Sequence, residues 1–271
     1  VNAAFSDIAA NGLEIGGIAG LVMANQAKSL VAAGDYDGAR AKLKTTWIII
    51  GVSMALGLII NGLAETNNCA DDTPNEWCEA YGEGGTGWYG GDDDSDSSGS
   101  IMYARVEFAG RIISPDNELN GIAFQAVGSG TEVDYVQVHL NKDDGVEFFG
   151  GNAQVKHVLV TGAGDDSMDW TDGWRGKAQF VVVQQYGDTS DNGIEADNNG
   201  ESNDLEPRSA PTISNVTLIG SPASDKSDLG MLLREGTAGH ISNAIVQGFN
   251  DSCLALDHDA TITQADNSDL T

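Results

Sequence analysis

Along the last two-thirds of the chain, short apolar runs alternate with polar turns, and two kinds of run recur in phase. One kind opens with a small or acidic turn and continues as an apolar strand: NGIAF (120–124), DGVEFFGG (144–151), DSMDW (166–170), NGIEAD (192–197), LGMLL (229–233) and DSCLAL (251–256). Their first residues lie 24, 22, 26, 37 and 22 positions apart. The second kind is VDYVQVHL (133–140), VKHVLVTG (155–162), AQFVVVQQ (178–185), ISNVTLIG (213–220) and ISNAIVQG (241–248), at spacings of 22, 23, 35 and 28. Several short strands per repeat, at a period of 22–24, mark a parallel β-helix. Each coil buries its apolar side only by stacking on its neighbours. The irregular spacings locate two polar, loop-like insertions, 200–209 and 222–228. An antiparallel sandwich would need hairpin turns between successive strands and would leave the in-phase recurrence unexplained.

The first 66 residues follow another pattern. LEIGGIAGLVMA (13–24) is apolar and rich in small residues, and a polar, helix-compatible stretch turns at Gly34-Asp35. WIIIGVSMALGLIINGLA (47–64) then runs eighteen residues without a charge, the lower limit for a helix that spans a bilayer. Arg40, Lys42 and Lys44 before it, and the acidic region after it, would put residue 46 inside and residue 66 outside. The competing reading is buried strand and turn, to which Gly51, Gly57, Asn61 and Gly62 give weight. The expected organisation is an α-helical hydrophobic hairpin over 1–66, serving as anchor or assembly segment, joined to a right-handed parallel β-helix over 67–271. The fold class is therefore mainly β.

Two resemblances bear on this division. GIAGLVMANQAKSLVAAGDYDGARAKLKTTWIIIG (17–51) resembles the dispanin family, which contains the interferon-induced transmembrane proteins. That likeness implies a membrane-embedded first segment, a cytoplasmic loop and a spanning second helix, although Glu14 and the lack of membrane-proximal cysteines depart from the pattern. From residue 57 onward, segments such as SPDNELNGIAFQAVGSGTEVDYVQVH, DDGVEFFGG and DDSMDWTDGWRGKAQFVVVQ resemble a family of secreted and surface bacterial β-helix proteins. This second likeness implies that residues 57–64 are already β-helix, against the spanning helix. It also implies that relatives continue past DNSDLT, so that the chain stops before its C-terminal cap.

Charge sharpens the picture. Residues 1–66 hold four basic and five acidic residues, so almost all of the formal net charge of −28 lies beyond them. Such a field excludes nucleic-acid partners and favours cations or basic partners. Cys69 and Cys78, in an acidic stretch without a neighbouring histidine, are expected to form a disulfide, which places the domain in an oxidising compartment. Cys253, in the pattern SCLALD, reads as a small buried hydrophobe.

Strand alternation turns Val146, Phe148, Met168, Trp170, Ile194 and Ala196 inward. It turns Glu147, Asp169, Glu195 and Asp197 outward, so that Glu147, Asp169 and Glu195 stack as a column with rungs ~4.8 Å apart. The turns Asp143-Asp144, Asp165-Asp166 and Asp191-Asn192 form a second column. Three or four carboxylates at that spacing offer the oxygen ligands that calcium prefers. Two other readings stand beside this one: a solvated acidic face whose carboxylates accept turn N–H groups, and a carboxylate pair hydrolysing a glycosidic bond. Nearly every rung carries acids, so no catalytic pair stands out. Arg175, Lys177 and Arg234 are the available bases for a lyase, and none repeats or sits in a recognisable motif. Trp174, in the turn DGWRGK, is a candidate sugar-stacking platform or a packing residue over the coil edge. EGGTGWYGG lacks the Lys-Ser/Thr and the following helix of a phosphate loop, which excludes nucleotide binding.

The sequence supports a non-enzymatic extracellular or cell-surface protein, displayed by its N-terminal segment or polymerised into a filament. Its partners would be copies of itself, a surface polysaccharide or another protein, with a membrane reached through residues 47–64. The alternatives are a carbohydrate-active hydrolase or lyase and a calcium-dependent adhesion module; calcium is the single cofactor expected.

Overall fold

The computed structural model describes residues 57–69, 77–114, 117–187 and 190–271. In chain order, β1 (Leu58–Asn61) is followed by a hairpin of β2 (Ala80–Gly82) and β3 (Gly87–Tyr89) around a 3-10 turn at Glu83–Gly85, then by β4 (Ser100–Glu107). A second hairpin, β5 (Ile112–Ser114) with β6 (Asn117–Glu118), leads into β7 (Ile122–Gln125) and β8 (Glu132–His139). Further coils pair a short strand with a long one: β9 (Val146–Phe149) with β10 (Gln154–Thr161), β11 (Met168–Thr171) with β12 (Lys177–Gln184) and β13 (Ile194–Ala196) with β14 (Thr212–Ile219). Next come β15 (Met231–Leu233), β16 (His240–Gln247) and β17 (Ala255–Leu256), and the chain closes with α1 (Asp259–Asp266).

The short strands make one parallel sheet, β1-β7-β9-β11-β13-β15-β17, and the long ones a second, β16-β14-β12-β10-β8-β4. This is the expected β-helix, and the insertions fall between β13 and β14 and between β14 and β15, as their spacing predicts. Inward columns such as Ile60–Phe124–Phe148–Trp170–Ala196–Leu233 are in unbroken register. Phe124, Phe148 and Trp174 stack face to face inside the solenoid, at 5.0 and 4.0 Å between ring centres. The repeated Asp-Gly and Asn-Gly turns have a packing cause. A Cβ on Gly145 would lie 2.4 Å from the Ser167 carbonyl of the next coil, so at this turn the coils approach as closely as they do because residue 145 has no side chain.

Each long strand turns a corner at one residue of positive φ: Tyr103, Tyr135, His157, Phe180, Asn215 and Asn243. The corner lets Val133, Val136 and Val138 all face the core, which simple alternation would forbid. The left-handed conformation costs a bulky residue ~1–2 kcal/mol. Ring stacking along the column offsets that cost: Tyr103 on Tyr135 at 4.8 Å, Tyr135 on His157 at 4.3 Å and His157 on Phe180 at 4.9 Å. Asn215 and Asn243 continue the column with a residue type that tolerates this conformation.

One boundary moves. Leu58–Asn61 pairs in parallel with Ile122–Gln125, so residues 57–64 belong to the β-helix and not to a spanning helix. Parallel pairing in register with β7 satisfies their backbone and sets Leu58 and Ile60 against the core. Among the described residues no helix is long and apolar enough to cross a membrane. The expected helical hairpin, the dispanin-like stretch and residues 47–56 lie outside the described residues.

Candidate functional site

The site lies on the outer face of the first sheet. Outward residues there stack in the register Ala123–Glu147–Asp169–Glu195–Leu232–Ala255, so three successive rungs carry carboxylates and the rungs beyond them are apolar. The 80–89 hairpin covers the start of this face. Ala80 and Tyr89 pack against Ala123, Ala126 and Phe149, and the Tyr89 hydroxyl donates to Asp172 at 3.3 Å. Glu83, at the hairpin tip, is carried toward Asp143, Glu118 and Asp172. The cover reaches Glu147, which is 8% exposed; Asp144 is also 8% and Asp166 5% exposed, while Asp169 and Glu195 are half-buried.

The turns form the second column. Asp144 Oδ1 accepts the Asp166 N–H at 2.9 Å, and Asp166 Oδ1 accepts the Asn192 N–H at 2.6 Å. Each turn carboxylate is thereby tied to the next coil, the arrangement expected of Asp in turns. The two columns adjoin. Oxygens of Asp144, Glu147 and Asp169 lie within 4.8 Å of one another, as do those of Asp166, Asp169 and Glu195. Farther out, Asp143, Asp144 and Asp165 form a similar group, as do Asp165, Asp166 and Asp191. An outer cleft of ≈ 300 Å³ is lined by Glu118, Lys142, Asp143, Asp165, Asp191 and Lys226.

Burial dominates the electrostatics. It pushes the carboxyls of Asp144, Glu147, Asp166 and Asp169 well above the usual range, and mutual repulsion adds to the effect, from Glu147 and Glu195 in the case of Asp169. Glu195 is raised to about 7 by burial, against the lowering pull of Arg234. Asp143 and Asp197 reach about 6 from the same leading cause. The partners differ along the column. Asn120 donates to Glu147. Arg234 bonds Glu195 and grips Asp197 through Nε at 2.9 and 3.1 Å. Asp169 Oδ1 is sealed from solvent and has no hydrogen-bond partner among the described residues. A buried, unpaired carboxylate oxygen among other carboxylates is costly unless a proton or a cation sits there. The donor set is all oxygen, which fits a hard cation such as calcium.

A family model described as a pectate-lyase-like β-helix domain matches residues 54–271. The chain belongs to that family. No match was found among curated proteins or among solved structures. Membership agrees with the likeness to β-helix proteins from residue 57 and fixes the architecture, while the chemistry rests on this chain's own residues.

In this pectate-lyase-like β-helix the expected column of Glu147, Asp169 and Glu195 is in register, and Asp143, Asp144, Asp165 and Asp166 gather beside it. Asp197 stands apart, held by Arg234. Two expected surfaces are corrected. Trp174 is 0% exposed: it turns inward, stacks on Phe148 and donates Nε1–H to the Ala153 carbonyl at 3.3 Å, so it offers no sugar platform. Cys253 is exposed rather than buried, because it precedes β17 in the last coil, which no further described coil covers. The Cys69–Cys78 disulfide is present. Arg175 is engaged elsewhere, holding Asp94 at 2.8 Å and Glu65 at 3.2 Å. His157 bonds Asp134 at 2.7 Å and His139 bonds Thr161 at 2.7 Å. A larger hollow of ≈ 590 Å³ beside α1 is lined by Asn203, Asp204, His258 and Asp259.

Proposed function

We propose that this chain is an extracellular β-helix that binds a hard divalent cation, calcium by preference, between Asp144, Glu147 and Asp169. The loaded face would then hold a surface polysaccharide or protein in the manner of an adhesion module. The observation that carries this reading is the sealed, unpartnered Oδ1 of Asp169, within a group whose oxygens lie inside 4.8 Å. Its other neighbours supply little positive charge: Asn120 is neutral, and the Asp166 N–H already occupies Asp144. The disulfide supports an oxidising, extracellular setting. Calorimetric titration of metal-free protein with calcium tests the reading. The wild type gives a saturable high-affinity component, Asp169→Asn removes that component, and a wild-type titration without one would refute it.

A second reading is carbohydrate-active chemistry, favoured by the family and by Glu195, whose carboxyl at about 7 could act as a general acid. Two features weigh against it. Glu147 and Glu195 are two rungs apart, about 9–10 Å by strand spacing, with Asp169 between them where an inverting hydrolase keeps its water. Arg234 is a poor lyase base: burial pulls its pKa down, but hydrogen bonds and charges from Asp197 and Glu195 outweigh this and hold the proton more firmly. Depolymerisation assays on acidic and neutral polysaccharides, comparing wild type with Asp169→Asn and Glu195→Gln, decide the matter; activity lost in both variants would favour this reading.

A further inference from the structure

We infer that Arg234 is a built-in cation occupying the second carboxylate group of the column, so that the buried column takes one divalent ion per chain rather than two. This inference rests on the cation-binding reading above and concerns how many sites that column keeps open.

Two groups of oxygens are candidates, Asp144–Glu147–Asp169 and Asp166–Asp169–Glu195, and they share Asp169. Their chemistry would be equivalent but for one residue. Arg234 follows β15 in the coil beyond Glu195, and its N–H donates to the Ala196 carbonyl at 2.8 Å. Its side chain reaches back one rung to Glu195 and Asp197, with Nη2 bonding Glu195 and lying 3.1 Å from Asp197 Oδ2. A guanidinium placed this way delivers a fixed positive charge and several N–H donors to oxygens that a metal would otherwise bind. The first group is held by neutral donors instead: Glu147 accepts from an amide and Asp144 from a backbone N–H. The acidic column also stops at Glu195, since the next outward residue is Leu232. One end of the column is therefore neutralised by the protein itself, and the other is left for an ion.

Removing the guanidinium charge opens the second group. The test is calcium stoichiometry on the full chain, by calorimetry and native mass spectrometry, in an Asp165→Asn background. Asp165 is common to both exposed turn groups, so this background takes their weak sites out of the count. The expected result is one ion for the background protein, two for added Arg234→Gln, and one for added Arg234→Lys, which keeps the charge. Should Arg234→Gln fold poorly, the pair Arg234→Gln with Asp197→Asn removes the stranded carboxylate and is titrated in its place. One ion at unchanged affinity after Arg234→Gln, or two ions with Arg234 intact, overturns the inference while cation binding stands. No ion bound by any of these proteins overturns the cation reading itself.

Discussion

Asp169 stands one rung from Glu147 in the outer column of the first sheet, and its Oδ1 is enclosed without a hydrogen-bond partner among the described residues. The acids of this face repeat from coil to coil, and this oxygen is where the repetition leaves a buried group unsatisfied. Replacing Asp169 by Asn removes one of the stacked charges and supplies two donors. In metal-free buffer Asp169→Asn is expected to melt higher than wild type, by about 2–4 °C for each kcal/mol of relieved repulsion. Differential scanning calorimetry in EDTA reads the change; a lower melting temperature would mean that Asp169 is stabilising as it stands.

The pH dependence of the metal-free protein should run opposite to ordinary acid lability. Asp172, held by burial at about 6 against a usual 3.8, and Glu83 and Glu195, at about 7 against 4.5, all bind protons more tightly folded than unfolded. The folded chain therefore carries more protons between about pH 4 and 7, and stability falls as pH rises through that window. A carboxyl that stays protonated one pH unit longer in the folded chain than in the unfolded one changes stability by about 1.4 kcal/mol. The melting temperature at pH 5 is thus expected to exceed that at pH 8 by about 5 °C or more. Melting curves in EDTA across this range check the sign.

Trp174 carries the core beneath the site. It is 0% exposed, stacked at 4.0 Å on Phe148 and tilted against Trp170 at 5.7 Å. Trp174→Ala is expected to cost about 3–5 kcal/mol by cavity formation. Trp88, 42% exposed on the outer side of its hairpin, is the control, and its alanine variant should lie within about 0.5 kcal/mol of wild type. Urea unfolding of the two variants separates them.

The Cys69–Cys78 bridge closes a short loop, with a sequence separation of 9, beside the hairpin that covers the start of the acidic face. On the loop-entropy model its removal by a double alanine variant costs about 2–3 kcal/mol. Denaturant unfolding of the variant, set against the oxidised wild type, measures this.

The repeat is legible in the sequence because glycine turns, inward valines and outward acids recur at coil spacing, and register then places Glu147, Asp169 and Glu195 in one column. The burial of Glu147 is not legible. It lies by the 80–89 hairpin, an insertion outside the repeat whose tip, Glu83, lies far from Glu147 in sequence. Trp174 is ambiguous for a related reason: a polar turn is expected to face water, and this one folds inward onto Phe148. The left-handed corners at Tyr135 and its equivalents are also hidden, since the pattern VDYVQV reads as an ordinary strand. Arg234 does carry a signal. Aligning NGIEAD with LGMLLR by coil sets Arg234 over Asp197, the pair that the structure joins.

The most direct measurement is the melting temperature of wild-type protein at pH 7.5, in EDTA and then in millimolar calcium, with magnesium and matched ionic strength as controls. A ligand that binds only the folded state at a hundred times its Kd adds about 2.7 kcal/mol, or about 5–10 °C for a domain of this size. A rise of that order is expected with calcium in the wild type, and none in Asp169→Asn. An unchanged melting temperature in the wild type would contradict cation binding by the buried column.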